Sequence, residues 1–291
     1  MPNNIALAKK YVDLLDEVYK VSSLTSVLDS DMSLSRAGAN TNEIVIPKLA
    51  MDGLANYSRN SGYVNGDVEL SWETVKFNYE RGRMFQIDVM DDEETQNVAF
   101  GRLAGEFIRT KVVPELDAFR FSTYAGITGI STVAGAVLST GDEVIKALST
   151  AMAKMDEDEV PQENRILYIT PTLYRLVQDM DSYKSKEVLS GFAQVITVPQ
   201  SRFYTAIKLQ DGTTSGETAG GYAKADGGVA INFMIIEKSA LLQYTKHAVP
   251  KIISPEANQD ADAYKYGYRN YGLADVYENK VSGIYLHKST K

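Results

Sequence analysis

Apolar residues recur at helical spacing over one unusually long stretch, residues 91–124 (DDEETQNVAFGRLAGEFIRTKVVPELDAFRFSTY). Val98, Leu103, Phe107, Leu116 and Phe119 carry the period. Asp91, Asp92, Glu93 and Glu94 crowd the first turn, where acids complement the helix dipole. Asp91 with Glu94 fits the capping-box pattern. Pro114 lies deep inside and is expected to kink or divide the helix, because proline lacks the N–H and crowds the preceding turn. At ~1.5 Å per residue the stretch would span on the order of 50 Å, the length of a beam in a flat, extended subunit.

Ahead of this beam, residues 5–20 read as an amphipathic helix with Ile5, Ala8, Val12, Leu15 and Tyr19 on one stripe. It either docks on its own domain or forms an arm that reaches another chain. The Ser-, Asp- and Asn-rich residues 21–42 read as a linker. Residues 43–49 (EIVIPKL) form a short strand whose Pro47 marks an edge or a break. Residues 52–67 are rich in Gly, Asn, Ser and Tyr, with a turn signal at Asn65-Gly66. Alternation then resumes with a slip. Val68, Leu70 and Trp72 share one phase, whereas Val75, Phe77 and Tyr79 share the other. Strand side chains alternate strictly, so a slip means a bulge or a change in which face is covered. Arg81-Gly82-Arg83 is expected to turn the chain into the strand-like MFQIDV.

After the beam, residues 142–155 form an amphipathic helix and residues 165–169 a short apolar strand. Thr170-Pro171 supplies a cap and a first-turn proline for another helix. Residues 193–198 read as a strand, 211–228 as a Gly- and Thr-rich loop, and 229–236 (VAINFMII) as a strand buried on both faces. Together they make an α/β layer unit. Tyr264, Tyr266 and Tyr268 alternate with Lys265, Gly267 and Arg269, and residues 276–286 supply a last strand.

Composition narrows the chemistry. The 291 residues contain no cysteine, which removes disulfides and thiolate metal sites. The net charge of −8 opposes general nucleic-acid affinity, which needs a basic face. No apolar run is long enough for a transmembrane helix, and the first residues lack the apolar core of a signal peptide. His247 and His287 are the two histidines and lie in different elements, so a Ser-His-Asp or zinc constellation is hard to build. Nucleophile-elbow, P-loop and zinc-protease motifs are absent. The acidic run 156–159 reads as a solvated loop more readily than a calcium site, since it lacks EF-hand spacing. The interleaved Tyr and basic residues at 264–269 fit a packed sheet face better than a base-stacking groove. No cofactor and no catalytic set are expected. The parts suit self-assembly.

Residues 73–126 (ETVKFNYERGRMFQIDVMDDEETQNVAFGRLAGEFIRTKVVPELDAFRFSTYAG), with RILYITPTLYRLV, VPQSRFYT, INFMIIEKSALLQYTKH, PKIISPEANQDADAYKYGYRNYG and ENKVSGIYLHKS, resemble major capsid proteins of tailed bacteriophages. The resemblance runs from about residue 43 to 288 and implies an α+β, HK-97-like fold. It implies an N-terminal arm at 1–42 and an extended loop at 43–80. A peripheral domain would take 81–129 and 246–275 with spine helix 91–124, and an axial domain 130–245 and 276–291. Contacts between copies are expected at Tyr57, Arg59, Tyr63, Trp72, Arg81, Arg83, Tyr264, Tyr266 and Tyr268, with Pro114 as the spine kink. The implied partners are further copies in hexamers and pentamers, a scaffolding protein, a portal and decoration proteins. The shell would enclose double-stranded DNA without reading its sequence, in the virion after assembly in the host cytoplasm, with no membrane. Some relatives join a loop lysine to a neighbour's asparagine. Here residues 49–75 hold no lysine, and Lys48 and Lys76 stand only at the base, so no such cross-link is expected. The chain opens on the arm, which implies a separate scaffold rather than a long propeptide. An encapsulin-type nanocompartment shell protein is the alternative.

Overall fold

The computed structural model describes residues 23–30, 36–37, 42–60, 62–90, 98–133, 135–180 and 182–290. The amphipathic stretch at 5–20 and the acidic cap at 91–94 lie outside them. Strands β1 (Arg36–Ala37), β2 (Glu43–Met51) and β3 (Val68–Lys76) form one antiparallel sheet, and β4 (Tyr79–Asp88) leads to the long helix. That helix consists of α1 (Val98–Phe107), a π-helical segment (Ile108–Val112) and α2 (Val113–Gly126).

The helix runs through Pro114 without a break, so of the two outcomes expected there, a kink or a division, the division does not occur. Phe107, Val112 and Val113 all keep right-handed helical backbone angles. In a regular α-helix the proline ring would crowd the carbonyl of Thr110, one turn earlier, and leave it without a donor. Widening the preceding turn to a π-segment accommodates the ring, and such insertions favour functional positions. The described helix, 98–126, spans roughly 40 Å at ~1.5 Å per residue.

The chain continues through β5 (Ser131–Val133), α3 (Gly141–Glu157), β6 (Arg165–Ile169), α4 (Pro171–Asp179), α5 (Tyr183–Ser190) and β7 (Gln194–Thr197). Strand β8 (Ile207–Leu209) pairs with β9 (Tyr222–Lys224), which lies inside the stretch 211–228 read as loop. Last come β10 (Ile231–Glu237), β11 (Leu241–Ile253), β12 (Ala263–Val276) and β13 (Ile284–Lys288). The last strand, read over 276–286, begins only at Ile284: β12 ends at Val276 and a 3-10 segment (Glu278–Gly283) lies between them.

Two sheets organise the body. The first has strand order β5-β13-β10-β6-β7, with β10 antiparallel to both neighbours. Its centre is covered on both sides, as the unbroken apolar run of β10 requires. Phe233 and Ile235 pack with Val144, Ile145, Leu148 and Val177 of α3 and α4. Met234 and Ile236 pack on the other face with Phe121 and Tyr124 of α2. A capping box between Thr140 and Glu143 starts α3. Thr170 precedes α4 with extended backbone, but its side chain makes no capping bond.

The second sheet is β11-β12-β4, antiparallel throughout. Ile108, Val112 and Val113 of the long helix lie on Tyr266 and Tyr268 of this sheet. The helix is therefore shared by two cores, which explains why eight of the 14 residues of α2 are buried, among them Glu115, Asp117 and Arg120. Arg81-Gly82-Arg83 sits in the middle of β4, not at a turn. A Cβ on Gly82 would stand 2.9 Å from the Tyr268 carbonyl oxygen, so the glycine permits close strand pairing rather than a reversal.

The linker reading also fails over residues 23–30, which are built into the junction of the two sheets. Leu28 is fully buried in the central core. Asp117 of α2, also fully buried, accepts hydrogen bonds from Ser23 Oγ, Thr25 Oγ1 and the backbone N–H groups of Leu24 and Thr25. Arg120 donates to Thr25 Oγ1 at 2.8 Å, and Gln243 of β11 donates to the Thr25 carbonyl and to Asp29. Arg202 completes the carboxylate's surroundings at 3.3 Å. A carboxylate with this many donors is well compensated for its burial.

Candidate assembly surfaces

The β2–β3 hairpin resolves the slip in the sequence pattern. Pairing runs in unbroken register from Glu43↔Lys76 to Met51↔Val68, so no bulge is present. Opposed residues in an antiparallel pair share a face. Ile44, Ile46 and Val75 therefore lie on one face, and all three are buried against Leu242 and Leu273. Further out, the apolar residues belong to the other face: Leu49 opposite Leu70, Met51 opposite Val68, and Pro47 opposite Trp72. Leu49, Met51, Val68 and Leu70 are each more than half exposed. Among the described residues β1 pairs β2 at Ile44 and Val45, and proline suits a strand position that need not donate to a second neighbour.

Beyond the strands, Leu54 is fully exposed, and Tyr57 and Tyr63 stack edge to face at 4.8 Å with most of their surface in solvent. Arg59 is exposed at the same tip. Four of the residues expected at contacts between copies, Tyr57, Arg59, Tyr63 and Trp72, thus lie together on the distal hairpin. The base is tied to the body by Lys48 and Glu278 at 2.6 Å. Burial, followed by the neighbouring charge of Glu278, pushes the Glu73 carboxyl above its ordinary value there.

The other five are placed differently. Arg81 Nε donates to Glu115 at 2.8 Å and its Nη2 to the Gln210 carbonyl at 2.7 Å, joining β4, α2 and the β8–β9 region within one chain. Arg83 is exposed and donates to the Thr218 carbonyl. Tyr266 and Tyr268 are buried under the long helix, and Tyr264 packs at the edge of that cluster. The alternation at 264–268 therefore records an internal sheet face. The opposite face carries Lys265, Gly267 and Arg269, and Arg269 pairs with Glu80. The acidic run closes its own loop: Asp156 pairs with Arg165 at 2.7 Å and Asp158 with Lys154 at 2.5 Å. Among the described residues no cluster of three or more potential ligands could hold a metal, and no helix is long and apolar enough to cross a membrane.

The pinned segment 23–30 is the feature that pattern reading missed. Its signal is weak, because Leu24 and Leu28 are its only large aliphatics besides Val27 and its hydroxyls resemble those of a loop.

The architecture has solved counterparts. The chain is similar to a protein of Mycobacterium phage Che8, with a TM-score of 0.59 at 11% identity, over 91% of this chain and 90% of that one. It is similar to the capsid of Myoviridae phage XM1, with a TM-score of 0.58 at 11% identity, over 92% of each chain. The virus-like particle from Pyrococcus furiosus aligns with a TM-score of 0.60 at 11% identity, over 97% of this chain and 99% of that one. No protein-family model and no curated protein sequence matches the chain. The mixed helix-and-strand architecture is thus the HK-97-like fold found in capsid shells.

Proposed function

We propose that this chain is a major capsid protein whose copies assemble into the icosahedral head of a tailed bacteriophage around double-stranded DNA. The observation that carries the reading is the hairpin that changes face. Its base is held by its own core, and its distal half offers apolar residues, Leu49, Met51, Val68 and Leu70, that are each more than half exposed. A surface of this kind marks an interaction site. A second copy is the natural partner, because closed homo-oligomers repeat one contact many times.

In this reading residues 1–42 act as an arm and 43–80 as the extended loop. The three-stranded sheet with the long helix forms the peripheral domain (81–129 and 246–275). The five-stranded sheet with α3 to α5 forms the axial domain (130–245 and 276–291). Tyr57, Arg59, Tyr63 and Trp72 make the contacts of the loop. The net charge of −8 keeps packaged DNA from adhering to the wall. A scaffolding protein directs closure in the host cytoplasm, and a portal and decoration proteins complete the virion.

An encapsulin-type compartment is the second reading, favoured by the near full-length alignment with the Pyrococcus furiosus particle. Expression of the full chain alone and with candidate scaffold, followed by negative-stain microscopy and nuclease-protection assays, separates the readings. Closed shells that require scaffold support the phage head. Closed shells formed by the chain alone and loaded with a host protein support the compartment. Persistent small oligomers under every condition overturn both.

A further inference from the structure

A cavity of about 830 Å³ lies between the long helix, the outer edge of β4 and the β8–β9 hairpin. The π-segment and Pro114 form part of its wall. Its charges are unevenly matched. Each acid on the wall is already engaged: Glu115 with Arg81, Glu106 with Arg109, and Asp211 with Thr213 and Thr214. The cations Arg83, Lys111 and Lys224 are exposed, and none forms an ion pair among the described residues. A chain of net charge −8 thus keeps around one cavity three cations with no acidic partner among the described residues, Lys224 lying over the Tyr204 ring at 5.7 Å.

Two further observations define what would fill it. Asn270, on the cavity floor, is 1% exposed, and neither its amide nitrogen nor its amide oxygen has a hydrogen-bond partner among the described residues. Leaving a buried amide unsatisfied is costly, and such groups call for an explanation. Strand β4, which lines the cavity through Tyr79, Arg81, Arg83 and Phe85, pairs among the described residues with β12 alone, and no described strand covers its other edge. Open edges accept added strands.

We propose that this cavity is a docking site for an acidic peptide of a separate protein, added as a strand along β4. Its carboxylates face Arg83, Lys111 and Lys224, and its backbone meets the strand edge. A lone phosphate would match the charge and leave the edge and the apolar walls unmet. The chain's own distal hairpin mixes its exposed acids, Asp52, Asp67 and Glu69, with the exposed Arg59, so it matches the cations less fully than an acidic peptide does, and the test separates the two occupants. The site belongs to a single chain, so it holds whether or not copies form a shell.

The test uses the unassembled full chain and a fluorescein-labelled peptide of alternating Glu and Val, read by fluorescence anisotropy. The expected result is saturable binding that weakens with salt and falls at least about tenfold when Arg83→Glu and Lys111→Glu are combined. The matching Lys-Val peptide should bind the double variant better than the wild type. Far-UV circular dichroism checks the fold of the variants. If the double variant does not fold, Arg83→Ala alone must still weaken binding. Absence of binding, equal binding of the two peptides by the wild type, or indifference to Arg83 overturns the proposal. Full competition by inorganic phosphate reassigns the site to a small anion. Peptide-independent self-association that depends on Arg83 reassigns it to a second copy. Either result overturns it.

Discussion

The two halves of the β2–β3 hairpin follow opposite rules. At the base, Ile44, Ile46 and Val75 turn one face into the body of the chain. Further out, Leu49, Met51, Val68 and Leu70 gather on the other face and remain exposed. The register is continuous between them. Apolar content therefore means two things within one pair of strands: a core below and an exposed face above. A two-stranded hairpin is marginal in water by itself, so the distal half needs the base to hold it.

The largest expected effect lies on the body's side of this contrast. Asp117→Ala strands the Ser23–Thr25 donors and Arg202 in a buried site. Urea unfolding should show a loss of about 3–5 kcal/mol in the unassembled chain. A loss well under 1 kcal/mol would mean that residues 23–30 are not part of the core.

The hairpin itself supplies the paired experiment. Ile46→Ala at the base should cost about 2–5 kcal/mol in the same assay. Leu49→Thr with Leu70→Thr, a facing pair in the distal half, should change chain stability by no more than about 0.5 kcal/mol, because threonine suits exposed strands. The distal pair should instead remove closed particles from assembly reactions. Equal effects of the two variants on chain stability would erase the distinction between the halves.

Next comes the helix that both cores share. Pro114→Ala removes the crowding that the π-segment relieves, so the helix should close to regular α geometry and change its curvature. Electron microscopy of assembled material should then show altered particle size or yield. Unchanged particles would separate the π-segment from shell geometry.

The smallest effect concerns pH. His287 is buried beside Phe233 and Asn232, and its pKa lies below the ordinary value of 6.5, chiefly because burial disfavours the charged ring. The unfolded chain therefore takes up a proton at higher pH than the folded chain. Stability is full above the unfolded value, falls as pH drops through it, and levels off below the folded value. His287→Gln should flatten that part of the profile measured by thermal unfolding. An unchanged slope would place the acid sensitivity elsewhere.

Much of the architecture was legible wherever burial leaves a local trace. The buried strands at 165–169 and 231–237 showed as apolar runs because helices or further strands cover both their faces. The long helix showed through its period, and the hairpin slip was visible as a slip. The candidate surface was legible only in part. Tyr57, Arg59, Tyr63 and Trp72 lie together on the exposed arm of the hairpin. Arg81, Tyr266 and Tyr268 are taken up inside the chain, since charge and aromaticity do not say which side of a strand meets the helix. Gly82 resembled a turn because its role depends on the Tyr268 carbonyl across the sheet, which no neighbour in sequence announces.

The sequence by itself determined the local periods: a long helix, alternating strands, buried strands, and a change of phase near Thr74. These depend on residues close together in the chain. Only the tertiary structure decided that the phase change is a change of face rather than a bulge, that Pro114 is absorbed by a widened turn, and that residues 23–30 are held by Asp117. Those outcomes depend on register, space and hydrogen-bond donors brought together from distant parts of the chain, where no local pattern records them.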